Sequence, residues 1–293
     1  MKHLGRGRHY GWLRPRVERV VLFLSVGSWP AKLAWALGMQ RRVRRVEHDV
    51  AARSWPEGLR PLKLAFGSDF HAGPTTDDRL IELAFQRMAE AEPDVMLLGG
   101  DFVYIEARFI ERLARAAERT PAPLGKFAVL GNHDLWADYR LVTRHLEDAG
   151  VRVLVNENAA LPAPFDHVSV CGIDEYWSGD ADGDKAFAGA NGTRVLLIHS
   201  PSTLRAVNGH EFDVALCGHT HGGHLALPGE RPIWIPQPEI NSPYTHGRFD
   251  LDAPHHGASL LVSRGVGALE VPFRTYAPPD VLLCRLGRHA VTT

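Results

Sequence analysis

Cysteine is scarce: Cys171, Cys217 and Cys284 are the only three in 293 residues, far apart and without CxxC spacing. That excludes a disulfide framework and a thiolate zinc knuckle, and it fits a reducing compartment. Long apolar runs are also missing. The most hydrophobic stretch, Val20 to Met39, is interrupted by Pro30 and Lys32, and its charge-free part ends after Ala31. A bilayer core needs about 20 apolar residues, so this stretch is too short to span it. There is no internal repeat. What is present is an ordinary globular composition, 45% hydrophobic and 23% charged, in a chain long enough to bury a full core without covalent staples. At about 150 residues per domain, one large domain or two ordinary ones are allowed.

The net charge of −1 conceals an asymmetry. Residues 1–45 hold eleven Lys and Arg against a single acid, Glu18, and the remainder holds 22 bases against 33 acids. An acidic body argues against a nucleic-acid partner, whereas a basic arm is what anionic lipid or RNA attracts. Bases flank the apolar stretch on both sides (Arg14, Arg16, Arg19; Arg41, Arg42, Arg44, Arg45), so the positive-inside rule gives no direction. A segment lying on an anionic membrane surface is expected through residues 1–45. Trp29 and Trp35 would sit at the headgroups, and the Arg41–Arg45 cluster would be drawn to lipid at about 1 kcal/mol per base. Three other readings stay open: a signal peptide with Ala34-Trp35-Ala36 as its cleavage site, a tilted or signal-anchor span, and an ordinary core helix. The expected division is a membrane-associating arm over 1–59 and a body over 60–293. Its expected place is peripheral, on the cytoplasmic face of the membrane, or, under the other readings, anchored or exported.

From residue 62 short apolar runs alternate with helical patterns. Strands are predicted at 62–68, 95–99, 127–130, 151–155, 168–172, 194–198, 213–217, 258–262 and 280–286, and helices at 77–91, 105–119 and 138–149. Early β-α-β alternation implies a parallel sheet, and the later helix-poor strands imply antiparallel additions. The stretches 174–193 and 228–244 are predicted as loops.

The chemistry stands directly after the strands. Asp69-Phe70-His71 follows the first, Asp101 the second, and Asn132-His133-Asp134 the third; His199 and His219-Thr220-His221 follow two later ones. A lone Asp after a strand is ordinarily a turn residue or a helix cap. Five such strand ends together point to a site, because the carboxyl ends of strands in open α/β sheets are where sites assemble. Two Asp, one Asn and four His (71, 199, 219 and 221) offer hard oxygens and imidazoles, a donor set suited to manganese, iron or zinc. Seven ligands are too many for one tetrahedral ion, whereas a pair of ions bridged by Asp101 gives each four. Two cations about 3.5–4 Å apart can hold a hydroxide and clamp the attacking and leaving oxygens of a displacement at phosphorus.

These residues resemble the calcineurin-like metallophosphoesterase superfamily. Its ordered motifs stand here as Asp69-Phe70-His71, Gly100-Asp101, Gly131-Asn132-His133-Asp134, His199 and Gly218-His219-Thr220-His221, over roughly residues 60–286. LIHSP around His199, GHTHGG from Gly218 and the ending from Ser263 to Leu286 are similar to a bacterial, often membrane-associated branch akin to UDP-2,3-diacylglucosamine hydrolases. The resemblance implies a two-layer mixed β-sandwich flanked by helices. It implies that Asp69, His71 and His221 hold one divalent transition metal and Asn132, His199 and His219 the other, with Asp101 bridging. It implies that His133 stabilises the phosphoryl oxygen and protonates the leaving alkoxide. One departure is visible. Phosphoprotein phosphatases of the superfamily carry an Asp three residues after the bridging Asp, where this chain has Tyr104, so the carboxylate orienting His133 is absent or supplied elsewhere, for example by Asp134.

Further candidates are weaker. His224 extends the His219/His221 motif toward a substrate contact, or else begins the next strand on the surface; Arg264 could meet a phosphate. Asp174 and Glu175 could cover the site, although acidic loop residues are ordinarily solvated. A metallo-β-lactamase pattern wants Asp where Gly223 stands, and an amidohydrolase barrel wants its His-x-His after the first strand. The function expected is hydrolysis of a phosphodiester or pyrophosphate bond, on a nucleotide-linked lipid at the membrane. Alternatives are a phosphomonoesterase on a soluble substrate and a non-catalytic, metal-stapled scaffold. Because every candidate ligand lies after residue 60, arm and site are expected to be separable.

Overall fold

Two facing sheets, each with helices on its outer side, account for strands that read as continuous apolar runs. The computed structural model describes residues 8–241 and 243–288; the first seven residues of the basic arm lie outside the described residues. The chain opens with helices α1 (Arg14–Leu24) and α2 (Trp29–Ala36) and strand β1 (Arg44–Ala51). It continues through β2 (Leu62–Gly67), α3 (Asp78–Ala89), β3 (Val95–Leu98), α4 (Ile110–Arg119), β4 (Lys126–Ala128), α5 (Asn132–Trp136), α6 (Tyr139–Asp148) and β5 (Arg152–Val153). Then come β6 (Glu157–Ala160), β7 (Val168–Gly172), α7 (Gly183–Phe187), β8 (Thr193–Leu197), β9 (Val214–Cys217), β10 (Ala226–Leu227) and β11 (Arg231–Pro232). The last strands are β12 (Gly247–Asp250), β13 (Ser259–Val262) and β14 (Asp280–Gly287).

One sheet has the order β1-β14-β2-β3-β4-β5 and the other β12-β13-β9-β8-β7-β6. Strands β2 to β5 are parallel to one another, as are β7, β8, β9 and β13. β14 is antiparallel to β2, and β6 and β12 flank the second sheet antiparallel. This is the mixed α/β sandwich expected from the sequence. Side-chain alternation sorts its core. Leu62, Leu64 and Phe66 of β2 and Val95 and Leu97 of β3 share one cluster with Val170, Val195, Leu197, Val214 and Leu216 of the facing sheet. Their neighbours Ala65, Met96 and Leu98 instead meet Leu80 and Phe85 of α3, Leu113 of α4 and Val142 of α6. Each fully buried Leu or Phe contributes about 1.5–3 kcal/mol, and parallel pairing within each sheet puts the carboxyl ends of its strands on one side.

The departures from the sequence reading have local causes. α4 begins five residues later than periodicity predicts, because the chain is extended to Tyr104, where Ala72 donates to Phe102 O at 2.8 Å and Tyr104 to Ala72 O at 3.1 Å, and then makes a 3-10 turn over Ala107–Phe109 before the α-helix. α5 is a helix too short for periodicity to register. The loop 174–193 contains α7, started by Asp182, whose side chain accepts from the Lys185 N–H at 3.0 Å. The loop 228–244 contains β11, which forms a small hairpin with β10 just before it. The three cysteines are buried and free.

The arm departs most. Its last part is β1, paired along its full length with β14 from Arg44↔Asp280 to Ala51↔Gly287. Its sequence, RRVEHDVA, is a charged edge strand, which discourages pairing with other chains and hides the strand from an apolar-run search. Before it, α1 and α2 are broken by Gly27 at φ 70° and Ser28 at φ 54°. Among the described residues no helix is long and apolar enough to cross a membrane. Val20, Phe23, Leu24, Val26, Trp29, Leu33 and Leu37 are exposed, whereas Glu18 is buried. The one acid of residues 1–45 therefore points inward, where α1 lies against the body.

Candidate metal centre

All seven candidate ligands meet at the shared rim and are buried. Asp69, His71 and His221 form one group with donor atoms within 4.8 Å of one another, and Asp101, His199 and His219 form another. A third grouping, His71, Asp101 and His133, overlaps both. Asp101 Oδ2 lies 3.6 Å from His71 Nε2 and 3.4 Å from His199 Nε2, between the two groups. Asn132 Oδ1 is 3.2 Å from His199 Nε2, on the second group's side.

The backbone is contorted to achieve this. Asp69, His71, Asp101, His219 and His221 all have φ between 43° and 71°, a left-handed region that costs a non-glycine residue about 1–3 kcal/mol and persists where surrounding structure enforces it. Gly218 is required at its position, since a Cβ there would lie 2.0 Å from Asp69 Oδ2. In return Asp69 accepts two bonds from the His219 N–H, at 3.1 and 2.9 Å.

Partners assign three of the ligand tautomers: Arg274 Nη2 donates to His221 Nδ1 at 2.9 Å, which leaves the His221 proton on Nε2, where a metal would displace it. His199 Nδ1–H donates to Gly99 O at 2.7 Å, leaving Nε2 as the free lone pair. His219 Nε2–H donates to Gln237 Oε1 at 2.7 Å, leaving Nδ1. These free nitrogens face each other at 3.0 Å, and His71 Nε2 faces His221 Nε2 at the same separation. Imidazole nitrogens directed at one another beside two carboxylates are what cations between them would hold, and thiolates are absent. The donor set therefore fits divalent transition metals.

Charge within the cluster agrees. Burial works against ionisation of Asp101, but His199, His133 and His71 outweigh it and hold the carboxyl well below the usual range. The opposite balance holds at His199, where burial opposes protonation yet the Asp101 carboxylate raises the imidazole to about 10. Burial raises Asp69 to about 6. Before metal binds, the Asp101 carboxylate therefore favours a second proton on His199, on Nε2, and the lone pair assigned to that nitrogen is free only once the proton has left. A divalent ion must displace it, so binding should release about one proton at pH 7–8, with affinity rising by up to about tenfold per pH unit. Below about pH 6 Asp69 adds a second proton and affinity should fall more steeply. Titration calorimetry in buffers of differing ionisation heat counts these protons; metal uptake without proton release would contradict the assignment of His199.

His133 stands beside the cluster, its ring 4.7 Å from that of His71. Its N–H bonds Asp101 Oδ1 at 2.8 Å, and its Nδ1–H donates to the carbonyl oxygen of Tyr104 at 2.7 Å. The carboxylate sought to orient it is thus replaced by the main chain of the very residue that stands in the Asp position. Asp134 does not take that role: it accepts from the N–H groups of Phe102, Val103 and Gly131, and burial together with Asp101 pushes its carboxyl up to about 8.

His224 is not the surface residue of the alternative reading. It is buried, its ring is 5.9 Å from that of His221, and its Nε2–H donates to Val271 O at 3.0 Å. Arg264 is committed elsewhere, to Asp280 at 2.8 Å and to Glu230. Asp174 and Glu175 are buried rather than solvated.

Sequence reasoning missed three participants. Arg274 donates to the carbonyls of Gly267, Arg264 and His221 and clamps the loop behind Asp69 and His221. Gln237, which fixes His219, lies in a loop without a pattern. Arg14, from the arm, places Nη2 3.2 Å from both ring nitrogens of His133. Arm and site are therefore in contact, against the expected separation. The only sequence signal was the single acid of the arm, Glu18, four residues after Arg14.

Comparison with known proteins adds the following. The family described as Calcineurin-like phosphoesterase matches residues 62–223. Phosphodiesterase YaeI of Escherichia coli (strain K12) is 30% identical over 234 residues, covering 77% of this chain and 82% of its own length. An uncharacterized metallophosphoesterase of Aquifex aeolicus (strain VF5) is 30% identical over 249 residues, 82% of this chain and 90% of its own. UDP-2,3-diacylglucosamine pyrophosphatase LpxG of Chlamydia trachomatis serovar D is 26% identical over 284 residues, with 78% and 84% covered.

Proposed function

The chain belongs to the calcineurin-like phosphoesterase family and is a metal-dependent phosphoester hydrolase; from that premise we propose that it holds two divalent ions and cleaves a phosphodiester or pyrophosphate bond at a membrane surface. The observation that carries this reading is the position of Asp101 Oδ2 between His71 and His199, at 3.6 and 3.4 Å. Asp69, His71 and His221 would hold one ion and Asn132, His199 and His219 the other, with Asp101 shared. Such ions supply charge neutralisation at the phosphoryl oxygens and a water of lowered pKa.

The chain's own residues do the rest. Tyr104 O fixes the ring of His133 through Nδ1, which leaves Nε2, 3.2 Å from Arg14 Nη2, as the nitrogen that can exchange a proton. Burial, and then the Arg14 charge, push His133 down to about 4. An anionic phosphoryl group beside Arg14 offsets that charge, so Nε2 takes up a proton more readily with substrate bound and can pass it to the leaving alkoxide. Gln237, Gly99 O and Arg274 keep the ligands oriented, which is the support such sites need.

The membrane half of the reading is supported by the exposed apolar side of α1 and α2 within a basic arm, and a relative named for action on a lipid-linked pyrophosphate agrees with it. Within residues 1–59 we assign α1 and α2 to membrane association; β1 joins the sheet of the hydrolase domain, 60–293. The test is a screen of the metal-loaded full chain against chromogenic mono- and diesters and nucleotide-diphosphate lipids. Diester or pyrophosphate turnover should exceed monoester turnover at least about tenfold, and a monoester preference would replace the reading. In parallel, Phe23→Ser with Trp29→Ser should lose binding to anionic vesicles while keeping soluble-ester turnover, because both side chains point to solvent. Unchanged sedimentation with vesicles would remove the arm from the membrane contact.

A further inference from the structure

We propose that Arg14 of the basic arm is a phosphate-binding residue of the active site, its guanidinium receiving an oxygen of the substrate's phosphoryl group. The proposal rests on the phosphoesterase reading above and adds a residue from outside the segment 62–223 that carries the family match.

Arg14 is a built feature rather than a surface base. Its Nε donates to Glu18 at 2.7 Å, one turn along α1. Its guanidinium stacks on Trp136, 4.1 Å from the ring centroid. Nη2 lies beside His133, and among the described residues Nη1 has no partner. Glu18 is itself buried and takes the Tyr10 hydroxyl, so a further side chain of the arm holds the pair in place. Arg8 O accepts from Trp136 Nε1 at 2.7 Å, and His9 packs on Trp177 at 4.7 Å, which continues the wall on either side.

The terminal nitrogens of the other arginines at the site are taken. Arg264 gives both to Asp280 and Glu230, with only its buried Nε left over, and Arg274 is held by the carbonyls of Gly267, His221, Arg264 and Ala277 and by His221 Nδ1. Arg14 alone among these three keeps a terminal guanidinium nitrogen, Nη1, without a partner among the described residues, on a guanidinium whose Nη2 already reaches His133. Glu18 balances the charge of Arg14 itself, so two divalent ions held beside it would still leave the rim cationic until a further anion joins. A phosphoryl group is the anion this reaction brings, and a planar guanidinium matches two of its oxygens. The remaining arm arginines seen in contacts are engaged elsewhere: Arg8 with Asp180, Arg16 over Trp12, Arg41 with the Trp35 and Ala36 carbonyls, Arg44 with Glu230 and Arg45 with Glu47.

A phosphate borne by a lipid and one free in solution present the same oxygens, and the assay separates them. The metal-loaded full chain, Arg14→Gln and Arg14→Lys are compared on bis(p-nitrophenyl) phosphate in solution, on a nucleotide-diphosphate lipid in vesicles, and by calorimetry with inorganic phosphate. Arg14→Gln should lower kcat/KM about ten- to a hundredfold on both substrates and weaken inorganic phosphate by about tenfold or more, the loss expected for a charge-assisted hydrogen bond. Metal content and melting temperature should stay at wild-type values. Arg14→Lys should recover part of the loss, because it restores charge without the fork. Wild-type phosphate affinity and kcat/KM in Arg14→Gln would overturn the proposal. So would faster turnover of the soluble diester, which would make the arm an obstruction, or a loss confined to the lipid substrate, which would assign Arg14 to the bilayer. If the wild-type chain hydrolyses nothing, the phosphoesterase reading fails, and the phosphate calorimetry still decides Arg14.

Discussion

Asp101→Asn should reduce bound metal from about two ions per chain to well under one and lower hydrolysis by at least about 10³-fold. The carboxamide can keep the bond its oxygen accepts from the His133 N–H, at 2.8 Å in the wild type. That would turn its NH2 toward His71 and His199, replacing a shared anion by a donor. Two cations so close repel strongly without the bridging charge, so both should be lost rather than one. Elemental analysis of the purified variant, beside turnover of a chromogenic diester, measures both effects. An Asp101→Asn protein with its full metal complement would sink the bridging role, and wild-type protein with a single ion would sink the pair.

The second large effect is expected at His133. His133→Asn should keep the metals, since none of the proposed first contacts to them is removed, and should lower kcat by about 10²–10⁴ on an ester with a poor leaving group. The reason is geometric. His133 Nδ1 is occupied by Tyr104 O, so Nε2 is the one ring nitrogen able to carry a proton to the departing oxygen. A p-nitrophenolate leaving group needs little protonation, so the loss there should shrink to about tenfold or less. Comparing esters across a range of leaving-group pKa reads this directly. An equal loss on all of them would mean that His133 only stabilises charge, and no loss on an alkyl ester would remove it from the chemistry.

The motifs were legible because each one interrupts an apolar strand with residues that make poor strand and good ligands. Asp69, His71, Asp101, Asn132, His199, His219 and His221 could be named without coordinates, and so could the mixed sandwich that brings strand ends to one rim. His133 was legible by its place beside Asn132. The orienting group for His133 was not, since Tyr104 acts through its carbonyl oxygen, and main-chain atoms are the same for every residue type. Gln237 and Arg274 were equally silent, being single polar residues in loops of irregular composition. β1 was hidden by its charges, and α5 by its length.

By itself the sequence determined the donor set, its order along the chain and the charge contrast between arm and body, because these are properties of residue type and local period. Only the tertiary structure decided which lone pairs face one another, which carboxylate oxygen stands between the two groups, and that five of the ligands sit at positive φ. It alone brought Arg14 to His133 across 119 positions of chain. Contacts of that range follow from how α1 packs on the rim through Glu18 and Trp136, and packing of an irregular arm leaves no period in the sequence from which its partner could be read.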